Sequence, residues 1–162
     1  MDLSEENVLE ILCAKVDSYS ANYIMVDWCP ATLGDVRLVG GQPGSPGATS
    51  LHQACRESEC MREIAEFVQK MSSDGKKCMP GYLHGHLFSQ LFQHASNHIL
   101  QLLSCSAVSR FNLLSIVQLK ADASFLRAAA VEILQDEDVD ILFAGLVQVR
   151  ASTTHHTHRH PL

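Results

Sequence analysis

The sequence predicts an all-α protein, an antiparallel bundle of about six helices. Three observations carry this. Apolar residues recur at intervals of three and four in segment after segment, the spacing of one helix face. No segment of useful length alternates with the period of two that a half-buried strand requires. The one stretch dense in helix breakers, GGQPGSPG at residues 40–47, holds four glycines and two prolines and reads as a loop between helices. At 162 residues with 46% apolar side chains, the chain can bury roughly 70% of its unfolded surface. One bundle over residues 1–149 is expected.

Taken in order, Ser4 can cap a first helix, with Glu5 and Glu6 in its electropositive first turn. Val8, Leu12, Val16, Tyr19 and Tyr23 follow at helical spacing, and the helix is expected to end near residues 26–28, before Pro30. A connector over residues 29–50 comes next. A phosphate-binding reading of its glycines fails, because no Lys-Ser/Thr pair follows and two prolines remove amide donors, so it is read as a flexible loop. Residues 51–71 form a second helix with Met61, Ile64, Ala65, Val68 and Met71 as its core stripe, and residues 72–80, with Asp74-Gly75, form a turn.

The third helix, residues 82–103, has the clearest pattern. At 100° per residue, Leu87, Phe88, Leu91, Phe92, Ala95, Ile99 and Leu102 share one arc, while His86, Gln90, Gln93, Asn97 and Gln101 fill the other side. A fourth helix over residues 109–119 is apolar nearly all round and should be central. Asp122 can cap a fifth, carrying Phe125, Leu126, Ala129, Ala130, Ile133 and Leu134. The acidic run Asp136-Glu137-Asp138 suits the first turn of a sixth helix, with Val139, Leu142, Phe143, Leu146 and Val149. Residues 150–162, RASTTHHTHRHPL, have no apolar period and read as a disordered, His-rich tail.

Composition narrows the function classes. Twelve basic against 18 acidic residues leave a net charge of −6, which argues against nucleic acid as a partner. No Lys/Arg-rich amphipathic run suits a membrane surface, and the acidic N-terminus does not read as a secretory signal. Residues 78–109 contain no Asp, Glu, Lys or Arg. Within residues 83–103, however, ten of 21 residues are polar, too many for hydrocarbon. The six cysteines, without a secretory signal, are read as reduced and mostly as small buried hydrophobes.

Histidine, with nine copies, is the only feature that suggests chemistry. His94 and His98 stand four apart on a helix, a spacing that can hold a metal, but Ala95 occupies the place where a zinc protease helix has Glu. No acid lies near the pair in sequence, and the wheel puts His98 inside the apolar arc and His94 at its edge, so a satisfied core or boundary pair is the better reading. His84 and His86 lack a Cys or Asp at ligand spacing, and Cys55 and Cys60 are not a C-x-x-C pair. A zinc-binding protein using His84, His94 and His98 stands as a second reading, and a helical scaffold with an unrelated partner as a third. No nucleophile–base constellation can be placed. The chain is expected to be a binding or scaffold module, not an enzyme, with no cofactor.

Four stretches together carry a likeness to a known family. They are KVD at Lys15–Asp17 leading to Trp28; MREIAEFVQKM at residues 61–71; MPGYLHGHLFSQLFQHASNHILQLL at residues 79–103, with His94, Ser96 and Ile99; and VSRFNLLSIVQLKADASFL at residues 108–126. In order and spacing the chain resembles the C-terminal region of the exocyst subunit family called secretory-fifteen, or exocyst complex component six. The likeness covers residues 9–149. It implies a slice of a rod of stacked helical bundles that tethers secretory vesicles at the plasma membrane before fusion. The partners it implies are other exocyst subunits and a Rab-family GTPase in its GTP state. It also implies a cytoplasmic location, peripheral at vesicles and plasma membrane through those partners. No partner-binding residue can be carried over. Two departures stand out: the glycine-rich run is longer than the family's connector, and the family continues with further helices where this chain enters its His-rich tail. The chain therefore reads as a fragment.

Overall fold

The computed structural model describes residues 5–25, 57–104, 112–135 and 139–146. These form α1 (Glu5–Ser20), a 3₁₀ turn (Ala21–Met25), α2 (Glu59–Cys78), α3 (Gly81–Ser104), α4 (Leu113–Leu134) and the short α5 (Val139–Leu142). Among the described residues every element is helical, as the periodicity requires. The expected loop at residues 29–50 and tail at residues 150–162 lie outside the described residues.

Contacts fix the directions. Glu5 meets His86 and Asp17 meets His94 and His98, so α1 and α3 run parallel. Ser72 meets His84 near one end of the α2–α3 pair, while Met61 and Ile99 line one small space farther along, so α2 and α3 are antiparallel. Ser58 meets Asp122 and Gln69 meets Glu132, so α4 runs with α2. The result is an up-down-up-down bundle, with α5 packed across α3 and α4.

Several helix boundaries differ from the expectation: the first helix, expected to run to residues 26–28, tightens into the 3₁₀ turn at Ala21, and the second, expected from residue 51, begins at Glu59 after the extended Ser58. The turn placed at residues 72–80 is helix as far as Cys78, and only Met79-Pro80 breaks the chain. Gly75 is buried inside α2 rather than turning it; a Cβ there would lie 3.3 Å from the end of the Met79 side chain and in ordinary contact with His84 and Phe88. Lys76 and Lys77 in the last turn favour the helix's negative end.

The break expected at Asp122 is also absent: residues 113–134 form one helix of 22 residues. Its cap is Asn112, whose side chain accepts from the Ser115 amide at 3.0 Å while the Asn112 amide donates to Ser115 Oγ at 3.2 Å. The helix ends at Gln135, in the left-handed conformation with φ 53°. No Gly or Pro interrupts residues 113–134. The backbone-seeking tendency of Asp122 is satisfied elsewhere, on groups of other elements (below).

The core is built by the stripes read from the sequence. Phe88, Leu91, Phe92 and Ile99 of α3 meet Met61, Ile64 and Val68 of α2, Leu126 and Ala130 of α4, and Val16 of α1 in one buried cluster. Phe143, just past the end of α5, closes it, its ring 6.3 Å from Phe92 in an edge-on arrangement. Tyr19 and Phe67 pair at 5.7 Å across α1 and α2. Each fully buried large side chain contributes about 1.5–3 kcal/mol.

Candidate functional site

Two polar constellations tie the helices together. The first lies on the α1–α3 seam. Leu12, Val16 and Ser20 bury one face of α1, which carries Asp17 beside α3. Helical spacing puts His94 and His98 one turn apart, their rings stacked with centroids 6.0 Å apart. Asp17 Oδ1 lies 2.7 Å from His94 Nε2 and 2.9 Å from His98 Nδ1. The same His98 nitrogen lies 2.7 Å from Ser20 Oγ, which donates to the Asp17 carbonyl at 3.1 Å. The acid that the sequence left missing beside this pair is Asp17, supplied from 77 residues away.

His84 does not join them. It is buried against α2, with Nε2 3.0 Å from Ser72 Oγ and 3.2 Å from the Ser72 carbonyl, and its ring is 4.6 Å from Phe88. His86 sits on the exposed side, 2.9 Å from Glu5 and 2.9 Å from Gln90 Nε2. Of the three imidazoles of the zinc reading, His94 and His98 share Asp17 while His84 is held apart by Ser72, and among the described residues no group of three or more His, Cys, Asp or Glu is arranged to hold a metal ion. The tail histidines and Cys55 lie outside the described residues.

The second constellation is internal. Asp122, 1% exposed, accepts from the Ser58 amide at 2.6 Å, the Tyr23 hydroxyl at 2.7 Å and Gln118 Nε2 at 3.0 Å. It joins the 3₁₀ turn, the entry to α2 and α4. Burial pushes its carboxyl up to about 6, against the hydrogen bonds from Ser58, Tyr23 and Gln118 that favour the charged form. Burial also raises the Cys60 thiol to about 11, which keeps it a neutral thiol packed in the core at pH 7.

Both constellations satisfy and position helices among the described residues. The space lined by Tyr23, Met61, Ile99 and Asp122 is filled by those side chains. We expect a double-mutant cycle of Asp17→Ala and His94→Ala to show a coupling of about 0.2–1 kcal/mol in urea unfolding, the range for partly exposed polar pairs. Zero coupling would sink the α1–α3 tie.

An arrangement that binds helices to one another, in the order and spacing described above, invites comparison with known families. The family described as exocyst complex subunit Sec15 C-terminal matches residues 2–154 of the 162. The chain belongs to that family. No curated protein and no solved structure matches it. Membership in the Sec15 C-terminal family supports an exocyst subunit role in vesicle tethering, and the exocyst subunit family is a scaffold family rather than an enzymatic one. Among the described residues of this Sec15-type chain, no helix is long and apolar enough to cross a membrane.

Proposed function

We propose that the chain works in exocytosis as a docking module. It binds a Rab-family GTPase in its GTP state on the vesicle and other exocyst subunits at the plasma membrane, and reaches the membrane only through them. The Sec15 C-terminal match over residues 2–154 carries this reading. The physics is compatible with it. A four-helix scaffold presents long rigid faces, and affinity in such a module comes from a few anchors seated in a partner's pockets rather than from a reacting group.

The test is capture of purified Rab-family GTPases by the immobilised chain, loaded with a non-hydrolysable GTP analogue or with GDP. Saturable capture of one GTPase, at least about tenfold tighter in the GTP state, is the expected result. Equal capture in both states, or none across the set, would overturn the GTPase part of the reading.

A further inference from the structure

Tyr23 and Ser58 flank residues 26–56 and stand 35 positions apart in the chain. Tyr23 belongs to the 3₁₀ turn that follows α1, and Ser58 is the extended residue that opens α2. Both end on one carboxylate of a third element. The Tyr23 hydroxyl donates to Asp122 Oδ2 at 2.7 Å, and the Ser58 amide donates to Asp122 Oδ1 at 2.6 Å. Gln118, one turn back on α4, donates to Oδ1 at 3.0 Å. Each flank has its own carboxylate oxygen, so the two bonds do not compete, and one side chain holds both.

Burial couples the flanks to each other. Tyr23 is fully buried and Asp122 is 1% exposed, and the space between them is filled by side chains. Either bond opens only when water reaches the carboxylate. Water arriving from one flank removes the burial cost of the charge and competes for the bonds that remain, so loosening one flank loosens the other.

The titratable groups facing Asp122 are Tyr23 from the 3₁₀ turn and Cys60 from α2, and burial raises both, which keeps them neutral between pH 5 and 7. Toward the same space α3 presents Ile99, α4 presents Leu119 and Leu126, and Leu146 follows α5. Among the described residues no cation lies against Asp122. Its charge is met by hydrogen bonds, and the other way to lower the cost of burying it is to take up a proton.

We infer that Asp122 is a proton-operated clasp: it fastens the 3₁₀ turn and the entry of α2 to α4, closes harder in weak acid, and loosens at both flanks together as pH rises to neutral. With a proton bound, Oδ2 donates to the Tyr23 oxygen and Oδ1 still accepts from Ser58 and Gln118, so both flanks stay fastened and the cost of the buried charge is gone. The direction follows from burial, which holds the closed carboxyl at about 6, against 3.8 for one open to water. Between those values the closed form binds more protons than the open form. Closure is therefore about tenfold more favoured at pH 5 than at pH 7.

The test is amide hydrogen exchange of the full chain, read by NMR at Ser58 and at the protected amides of residues 21–25, at pH 5 and pH 7, with each rate corrected for intrinsic exchange. Asp122→Asn never ionises, so dividing by its values cancels the titration of other groups. We expect parent protection at both flanks, relative to Asp122→Asn, to fall about tenfold from pH 5 to pH 7. Asp122→Ala should lower protection at Ser58 and at residues 21–25 together, about tenfold or more, at pH 5. A response at one flank with the other unmoved overturns the shared clasp. Equal pH responses in the parent and Asp122→Asn overturn the role of the proton. Greater relative protection of the parent at pH 7 shows that the ionised carboxylate closes the flanks, and that also overturns the inference. If circular dichroism shows Asp122→Ala unfolded, the comparison of the parent with Asp122→Asn decides by itself.

Discussion

Leu91→Asp is expected to leave the bundle largely unfolded at neutral pH. Leu91 is fully buried, in the cluster that joins all four long helices. Two costs add there. Removing a buried leucine's packing costs about 2–5 kcal/mol. Placing a carboxylate where no cation or donor waits costs several kcal/mol more, whether the group stays charged or takes up a proton to avoid it. A domain of this size has only about 5–15 kcal/mol of net stability. Far-UV circular dichroism and a urea titration check this. The neighbouring substitution Gln90→Asp, one residue away on the exposed face, should cost no more than about 1 kcal/mol, the price of helix propensity alone. A Leu91→Asp melt matching that of Gln90→Asp would refute the assignment of the buried face of α3.

That contrast shows which parts of the structure are written locally. On α3 the apolar arc of Leu87, Phe88, Leu91, Phe92, Ala95 and Ile99 is buried, and His86, Gln90, Asn97 and Gln101 are exposed. Periodicity suffices because a helix carries its own ruler: each residue's direction follows from its neighbours'. The misread boundaries have a different origin. Asp74-Gly75 and Asp122 are local signals for a turn and a cap, but in the fold both lie inside helices. Gly75 is buried against His84 and Phe88 of α3, and Asp122 receives Ser58 and Tyr23. Tertiary contact overrode propensity at both. The Asp17–His94–His98 tie was illegible for the same reason, since nothing near His94 in the chain announces an acid 77 residues away. The long connection from α1 to α2 separates what the bundle brings together. What remained readable at long range was order: four helical patterns in sequence, enough for a family likeness, yet silent on which side chains touch.

Asp122 supplies the second large effect, and its sign is unusual for a carboxylate. Most native carboxylates are held below their ordinary range, so proteins lose stability on acidification. Here burial holds the folded carboxyl at about 6, against an ordinary 3.8. Between those two values the folded chain binds more protons at this site than the unfolded chain does, so its contribution to stability falls as pH rises from about 4 to about 6 and is flat above. The gap corresponds to about 3 kcal/mol carried as a cost at pH 7. Asp122→Asn tests this directly. Asparagine keeps an oxygen for the Ser58 amide and Gln118, turns its NH₂ toward the Tyr23 oxygen, and never ionises. We expect Asp122→Asn to be neutral or stabilising at pH 7 and to lose that advantage near pH 4.5, as measured by urea unfolding at the two values. Asp122→Ala should cost about 2–4 kcal/mol at both, because it leaves a cavity in the core and removes the acceptor of the buried Ser58 amide. If the asparagine variant is weaker than the parent at pH 7 and the deficit shrinks on acidification, the ionised carboxylate is the favoured species in the fold. The hydrogen bonds from Tyr23, Ser58 and Gln118 would then outweigh its burial. If the two proteins differ equally at both pH values, Asp122 does not titrate between them, and its place at the centre of the bundle is set by hydrogen bonding alone.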